Sequence, residues 1–165
     1  MNLNKLSKPQ AELDLQINLE RQIDHTEYLK EKAIALCVEL GELLNEREFI
    51  FKYWKTHNGG DRNKALTEYV DGIHFLLSYG NSIKFDFSTY EYKKPKEIDQ
   101  RDLILGLFNM LGALPFYNIG FNKVFEDTLT HYLMLSEKLN FTFEEIEEAY
   151  FKKNGINHSR VENGY

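Results

Sequence analysis

The sequence has little cysteine and contains no long hydrophobic run. Its 165 residues include one cysteine, Cys37, so the chain cannot form an internal disulfide, and this usage favours a reducing compartment. No apolar stretch approaches the roughly 20 residues that a membrane-spanning helix needs, and the N-terminus has no apolar signal-peptide core. These absences exclude disulfide-stapled and membrane-spanning proteins, and we expect a soluble cytoplasmic protein.

Positive charge is scarce relative to negative charge. The chain has 20 Lys and Arg against 26 Asp and Glu, a formal charge of −6, which disfavours a general binder of nucleic-acid phosphates. A polyanionic small molecule would need a cation to bring it in. The hydrophobic share of 42% is ordinary for a globular protein, and the length suits one domain over residues 1–165.

Helical periodicity dominates the chain. From Tyr28 to Glu48, apolar residues recur at intervals of three and four, the spacing of one buried helical stripe. Asp61 follows a Gly-Gly break and can cap a helix, and Thr142 and Glu145 form a capping-box pattern. The predicted helices cover residues 9–24, 28–48, 61–79, 99–114, 121–139 and 142 to 152 or 153. We therefore expect an all-α domain, a helical bundle of five to six helices.

Residues 83–92 are the exception to this periodicity. Ile83, Phe85 and Phe87 alternate with polar residues, which is the period of a strand. Because the sequence offers no obvious partner strand, we interpret the segment as an irregular loop or a small hairpin.

Two acidic pairs on successive predicted helices are the most informative feature. Glu39 and Glu42 are three residues apart, as are Glu68 and Asp71, so each pair lies on one helical stripe. If the two helices pack antiparallel, the pairs converge, and burying such carboxylates unpaired would cost several kcal/mol per charge. Hard divalent cations relieve that cost, and Mg²⁺ accepts carboxylates together with substrate phosphates. The spacing therefore suggests a carboxylate-lined Mg²⁺ site.

Two other interpretations of these acids stay open. Acidic pairs at this spacing are common on solvent-exposed helix faces, where they bind nothing. A di-iron centre in a helical bundle would need Glu-x-x-His on two helices. No Glu of this sequence is followed by His three residues later, and the nearest approach is Asp71 followed by His74, so iron is disfavoured.

Several motifs together resemble the dimeric, all-α dUTP pyrophosphatases, a family related to the MazG-like nucleotide pyrophosphohydrolases. The central matches are residues 38–46, which contain Glu-x-x-Glu, residues 51–55, with Phe-Lys-Tyr-Trp-Lys, and residues 68–75, with Glu-x-x-Asp-x-x-His-Phe. The ending at residues 153–165 is similar to the family's KNxxNxxRQxxGY, and residues 10–14 are similar to its opening Q-x-x-L-D/N segment. The likeness covers most of the chain in the family's order.

The resemblance implies hydrolysis of dUTP to dUMP and pyrophosphate by a metal-activated water with Mg²⁺, in a homodimer. The residues implied to hold the metal ions are Glu39, Glu42, Glu68 and Asp71. Those implied to lie near uracil and deoxyribose are Gln10, Asp14, Trp54 and His74. Those implied to contact the phosphates, in a tail over 153–165, are Lys153, Asn154, Asn157 and Arg160. We further expect Glu42 to orient the water and the two tail cations to stabilise phosphate charge.

The sequence departs from the family pattern at the tail and before the tryptophan. The family's Gln after the tail arginine is Val161 here, and the spacing from Glu42 to Trp54 is longer than in the family. Other interpretations also apply to single residues: His74 fits a hydrogen-bonded core histidine, and Asn154-Gly155 fits a helix C-cap. None of these departures touches the predicted metal ligands.

Two alternative functions remain beside the dUTP pyrophosphatase. A related MazG-type enzyme would use the same acids on another nucleotide, and a helical interaction protein would use them for no catalysis. Thermal stabilisation by Mg²⁺ distinguishes the interaction protein from the two enzymes. Clustered acids gain stability when the cation binds, whereas a solvated acidic face does not. The predicted helices over 99–139 also carry apolar residues that suit a homodimer interface: Leu103, Leu107, Met110, Leu111, Phe125, Leu129, Tyr132 and Leu133.

Overall fold

The computed structural model describes residues 2–56, 59–117 and 120–164, and all regular structure in these ranges is helical. The α-helices in chain order are α1 Leu3–Arg21, α2 Leu29–Glu46, α3 Arg62–Ser82, α4 Gln100–Ala113, α5 Phe121–Lys138 and α6 Phe143–Glu162. Short 3₁₀ turns cover His25–Glu27, Glu48–Ile50 and Leu114–Phe116. The predicted all-α fold is confirmed, and residues 83–92 form an irregular segment.

Two helices begin where their capping residues predict. The Asp61 side chain accepts hydrogen bonds from the backbone N–H groups of Asn63 and Lys64 at the start of α3. At the start of α6, the Thr142 hydroxyl accepts from the Glu145 N–H, and the Glu145 carboxylate accepts from the Thr142 N–H. Each cap satisfies backbone donors that have no partner within the helix.

The predicted start of α1 is wrong. The helix begins at Leu3 and carries Pro9 in its interior, where a proline costs roughly 3 kcal/mol because it removes a backbone hydrogen bond. Leu3 and Leu6 are both buried, and each such burial contributes about 1.5–3 kcal/mol. Burial of this first turn therefore offsets the proline.

The predicted end of α6 is also wrong, and so is the interpretation of Asn154-Gly155 as its C-cap. The helix continues through both residues to Glu162. A glycine in a helix interior costs about 1 kcal/mol. Packing against α1 offsets this cost, because Asn154 is buried and His158 Nδ1 lies 2.5 Å from Gln16 Oε1.

Helices α2 and α3 pack antiparallel and form the centre of the fold. Lys32, near the start of α2, hydrogen-bonds to Ser78 and Ser82 near the end of α3. At the other end of the pair, Glu42 lies beside Glu68. The buried stripes of the two helices supply much of the core, including Leu36, Leu40, Leu43, Ile73, Leu76 and Leu77.

A tight contact joins α3 to α5 beneath the acidic residues. The Tyr69 hydroxyl donates to the Tyr132 carbonyl at 3.1 Å, and the Tyr132 hydroxyl donates to the Tyr69 carbonyl at 3.0 Å. A Cβ at Gly72 would lie 1.9 Å from the Tyr132 hydroxyl oxygen, so only glycine lets the two helices approach this closely.

The apolar residues predicted for a dimer interface pack mainly inside the chain. All of them except the half-buried Met110 are buried in its own core, because α4 and α5 pack against each other and against the rest of the bundle. On α2, α4 and the third 3₁₀ turn, the exposed large apolar side chains are Ile34, Val38, Leu105 and Phe116. Across the described ranges, every helix is too short or too polar to traverse a lipid bilayer.

Candidate active site

A cavity of about 460 Å³ lies between α1, α2, α3, α6 and the segment around the first 3₁₀ turn. Its volume is typical of a small-molecule site. The residues predicted for function that line it are Gln10, Asp14, Glu39, Asp71, His74, Lys153, Asn157 and Arg160. Four segments that are distant in sequence thus meet around one space.

Both acidic pairs converge at one end of this cavity. Glu39, Glu42 and Glu68 each offer a carboxylate oxygen, and these oxygens lie within 4.8 Å of one another. Asp71 extends the group towards α6, where its Oδ2 accepts a hydrogen bond from Lys153 Nζ at 2.5 Å. The antiparallel packing of α2 and α3 produces this acidic cluster, defined by these four carboxylates.

The acidic cluster holds its charge at an electrostatic cost. Burial raises the pKa of Glu39 to about 7, and Asp71, Glu42 and Glu68 add to the effect by like-charge repulsion. Burial also raises the pKa of Glu68 and of Asp71, although the ammonium of Lys153 opposes the increase at Asp71. Hard oxygen donors that repel one another in this way fit a divalent cation, which would offset their charge.

A hydrogen-bonded relay, formed by Gln10, Asp14 and His74, fixes the side chains on the α1 side of the cavity. Gln10 Nε2 donates to Asp14 Oδ1 at 2.9 Å, which leaves Gln10 Oε1 2.8 Å from His74 Nδ1. Burial lowers the pKa of His74 to about 3, so the ring is neutral and its single proton sits on Nδ1, facing the Gln10 oxygen. His74 Nε2 is therefore an acceptor.

Buried polar atoms without partners face the same cavity. Among the described residues, Asp14 Oδ2, His25 Nδ1 and His74 Nε2 are buried and make no hydrogen bond, and all three side chains line the cavity. The His25 ring also approaches Asp14, with Nε2 3.7 Å from Oδ2. Because buried polar groups are normally satisfied, these atoms are available to hydrogen-bond to ordered water or to a polar ligand in the cavity.

The second half of α6 supplies cationic and amide groups. Lys153, Asn157 and Arg160 recur at intervals of four and three, so they share the helix face that lines the cavity. Asn154 is buried beside them but does not line the cavity. Trp54 is 62% exposed and also lies outside the lining residues, and Tyr165 falls outside the described ranges.

The family model for dUTPase matches residues 2–165, nearly the whole chain. The chain belongs to the dUTPase family. It is accordingly a dUTP diphosphatase, a hydrolase of nucleotide metabolism. The family generally uses a divalent metal, and the acidic cluster offers suitable ligands for one. No curated protein matches the chain.

Several residues that line the cavity of this dUTPase were not predicted from the sequence, among them Lys32, His25 and Ser78. Only Lys32 carries a usable signal, because it lies four residues before Leu36 on the apolar stripe of α2, where a lysine is unusual. Lys32 is 8% exposed, and its burial lowers its pKa to about 8, against the opposing effects of Asp14 and Asp24.

Proposed function

We propose that this dUTPase hydrolyses dUTP to dUMP and pyrophosphate with Mg²⁺, bound by Glu39, Glu42, Glu68 and Asp71. The observation that carries the proposal is the meeting of the acidic cluster with a cavity lined by unpartnered polar atoms. Family membership supports the nucleotide, and the carboxylate donors support the cation. Phosphates would lie at the acidic end of the cavity and the nucleoside along the relay.

The acidic cluster and α6 divide the chemistry between them. When bound, the metal supplies Lewis acidity, which offsets negative charge and makes water a stronger acid. The exposed Glu42 carboxylate accepts a hydrogen bond from the attacking water and orients it towards phosphorus. Lys153 Nζ and the Arg160 guanidinium donate to phosphate oxygens and stabilise the charge that develops there.

The relay binds the nucleoside. The unpartnered acceptors Asp14 Oδ2 and His74 Nε2 match the N–H and O–H donors that a deoxyuridine presents. Gln10 holds both acceptor side chains in place, because its amide bonds to one on each side. A role near the base for Trp54, which is exposed outside the cavity, stays a prediction.

The tail over residues 153–165 is part of the same single domain in this proposal and binds the phosphates. Asn157 lies on the cavity face of α6 between the two cations, which supports a phosphate contact. The buried Asn154 would act beneath that face by supporting the helix.

We also propose a homodimer, with its interface on the exposed apolar side chains of α2, α4 and the third 3₁₀ turn. Ile34 and Val38 are 64% and 49% exposed, and Leu105 and Phe116 are 68% and 67% exposed. Apolar area of this kind is typical of a protein interface. Light scattering should give twice the mass of the chain, and Phe116→Asp should shift it towards the monomer. A monomeric wild-type protein would refute the proposal.

The reaction is tested by pyrophosphate release from dUTP, dTTP, dCTP and UTP, each with Mg²⁺ and with EDTA. We expect turnover of dUTP that requires Mg²⁺. Turnover of another nucleotide alone would favour the MazG-type alternative, and no turnover would favour an interaction protein.

The metal ligands are tested by Glu42→Gln, with Glu31→Gln as the matched control. Both side chains are exposed on α2, so both variants should stay folded, but only Glu42 belongs to the acidic cluster. Glu42→Gln should abolish turnover, whereas Glu31→Gln should keep it. Wild-type rates in Glu42→Gln would refute the assignment.

A further inference from the structure

Lys32 is a buried ammonium that the proposed chemistry does not use. Its Nζ donates to the Ser82 hydroxyl at 2.7 Å and to the Ser78 carbonyl at 3.3 Å. Within the described residues, no carboxylate lies within ion-pair distance of it. Burying a cation whose hydrogen-bond partners are all neutral is unfavourable. The two hydrogen bonds to the end of α3 therefore do not by themselves explain a lysine at this position.

Ser78 joins this ammonium to the carboxylate of Asp14. The Ser78 hydroxyl donates to Asp14 Oδ1 at 2.9 Å, while its carbonyl accepts from Lys32. The two charged groups therefore flank one turn of α3, and both line the cavity. Lys32 presents a donor there, and Asp14 presents Oδ2, an acceptor that makes no hydrogen bond and lies 3.7 Å from His25 Nε2. Through Ser78, one donor and one acceptor thus face the same cavity.

The pair lies away from the acidic cluster by about the length of a nucleoside. Lys32 is seven residues before Glu39 on α2, and Ser78 is seven residues after Asp71 on α3. At 1.5 Å per residue, each separation is about 10 Å along the helix. A nucleotide with its phosphates on the acidic cluster would bring its base to Lys32 and Asp14.

We propose that Lys32 and Asp14 together read the hydrogen-bonding edge of uracil, an inference that rests on the proposed dUTP site. The ammonium donates to the O4 carbonyl, and Asp14 Oδ2 accepts from N3–H. Cytosine presents the reverse pattern, an amino donor towards the ammonium and a bare N3 towards the carboxylate. Both contacts would then be repulsive, so the pair selects uracil over cytosine by rejecting the wrong base.

The test changes both sides of the proposed contact, the ammonium of Lys32 and the O4 atom of uracil. Wild-type protein, Lys32→Met and the control Lys8→Met, an exposed lysine of α1, are compared on dUTP and on 4-thio-dUTP, whose sulfur replaces O4. Losing a hydrogen bond to a charged group should lower kcat/KM of Lys32→Met on dUTP roughly tenfold to hundredfold. The ratio of kcat/KM on dUTP to kcat/KM on 4-thio-dUTP is the oxygen-to-sulfur preference. This preference of the wild type should vanish in Lys32→Met and persist in Lys8→Met.

The outcomes separate this inference from the proposed function. If wild-type protein releases no pyrophosphate from dUTP, the proposed function fails. If wild type is active but Lys32→Met keeps the oxygen-to-sulfur preference, whether its rates fall or not, Lys32 has only a structural role and the inference is overturned.

Wild-type protein alone supplies a second measurement that does not depend on the folding of a variant. Methylation of N3 removes the donor that Asp14 is inferred to accept, so N3-methyl-dUTP should lose at least tenfold in kcat/KM relative to dUTP. Equal rates on dUTP, N3-methyl-dUTP and 4-thio-dUTP would overturn the inference.

Discussion

Replacing Glu39 by Gln should stabilise the metal-free protein at alkaline pH. The pKa of Glu39 is about 7 in the fold, against an ordinary value of 4.5. The folded chain therefore holds this proton more tightly than the unfolded chain does. The protonated carboxyl contributes its stability below pH 4.5, and that contribution is lost as the pH rises through 7. Gln is neutral throughout and keeps the shape of the protonated side chain.

The size of the effect follows from the pKa difference and from exposure. A difference of one pH unit corresponds to about 1.4 kcal/mol, so the full change would be about 3 kcal/mol. Glu39 is only half-buried, and solvent screening reduces this to about 1–2 kcal/mol. Mg²⁺ should reverse the order, because the wild-type cluster gains more from the cation than a cluster lacking one carboxylate.

The assay is urea unfolding in EDTA at pH 5 and pH 8, followed by circular dichroism. The difference in unfolding free energy between Glu39→Gln and wild type should be a few tenths of a kcal/mol at pH 5, where the contribution is only partly lost, and about 1–2 kcal/mol at pH 8. Glu31→Gln, exposed on the same helix, should show no such change. A difference that stays constant between the two pH values would refute the electrostatic argument for the cluster.

Three further substitutions test other parts of the fold by the same unfolding measurement. Gly72→Ala should lower the free energy of unfolding by about 1–3 kcal/mol because the added Cβ would meet the Tyr132 hydroxyl. Adding Tyr132→Phe to the same chain should recover part of that loss. Thr142→Ala should cost about 1 kcal/mol through loss of the α6 cap, leaving the rest of the helix intact. Lys32→Met should raise the free energy of unfolding by about 1–2 kcal/mol at pH 7, since the buried charge is destabilising below its pKa of about 8. This increase should disappear above pH 10.5. A decrease in the free energy of unfolding at pH 7 would contradict this reasoning.

Features that depend on near neighbours could be predicted from the sequence. Asp61 and Thr142 begin their helices because a cap needs only the next turn of backbone. The acidic pairs were predictable for a similar reason, since a three-residue step fixes a shared helix face. Their convergence followed from the antiparallel packing of adjacent helices.

Features that depend on packing between distant helices could not be predicted. Asn154-Gly155 is a local stop signal, but contacts with α1 carry α6 beyond it. Lys32, Asp14 and Ser78 meet only because α1, α2 and α3 come together, and no spacing along the chain encodes that meeting. The acidic cluster and the positions of Gln10, Asp14 and His74 in the cavity were thus predictable in outline, whereas the contacts of Lys32 and Ser78 were not.

Because α6 continues past Gly155, the residues proposed to bind the phosphates lie in the last turns of a helix. Tyr150 anchors the first half of the helix beneath His74, whereas Gly155 and Arg160 in the second half are exposed. Hydrogen exchange should therefore be fast over the last turns and slow down when a triphosphate binds. A Cβ at Gly155 meets no atom within 4 Å, so Gly155→Ala should rigidify these turns and lower the KM several-fold without adding a contact, through preorganisation alone.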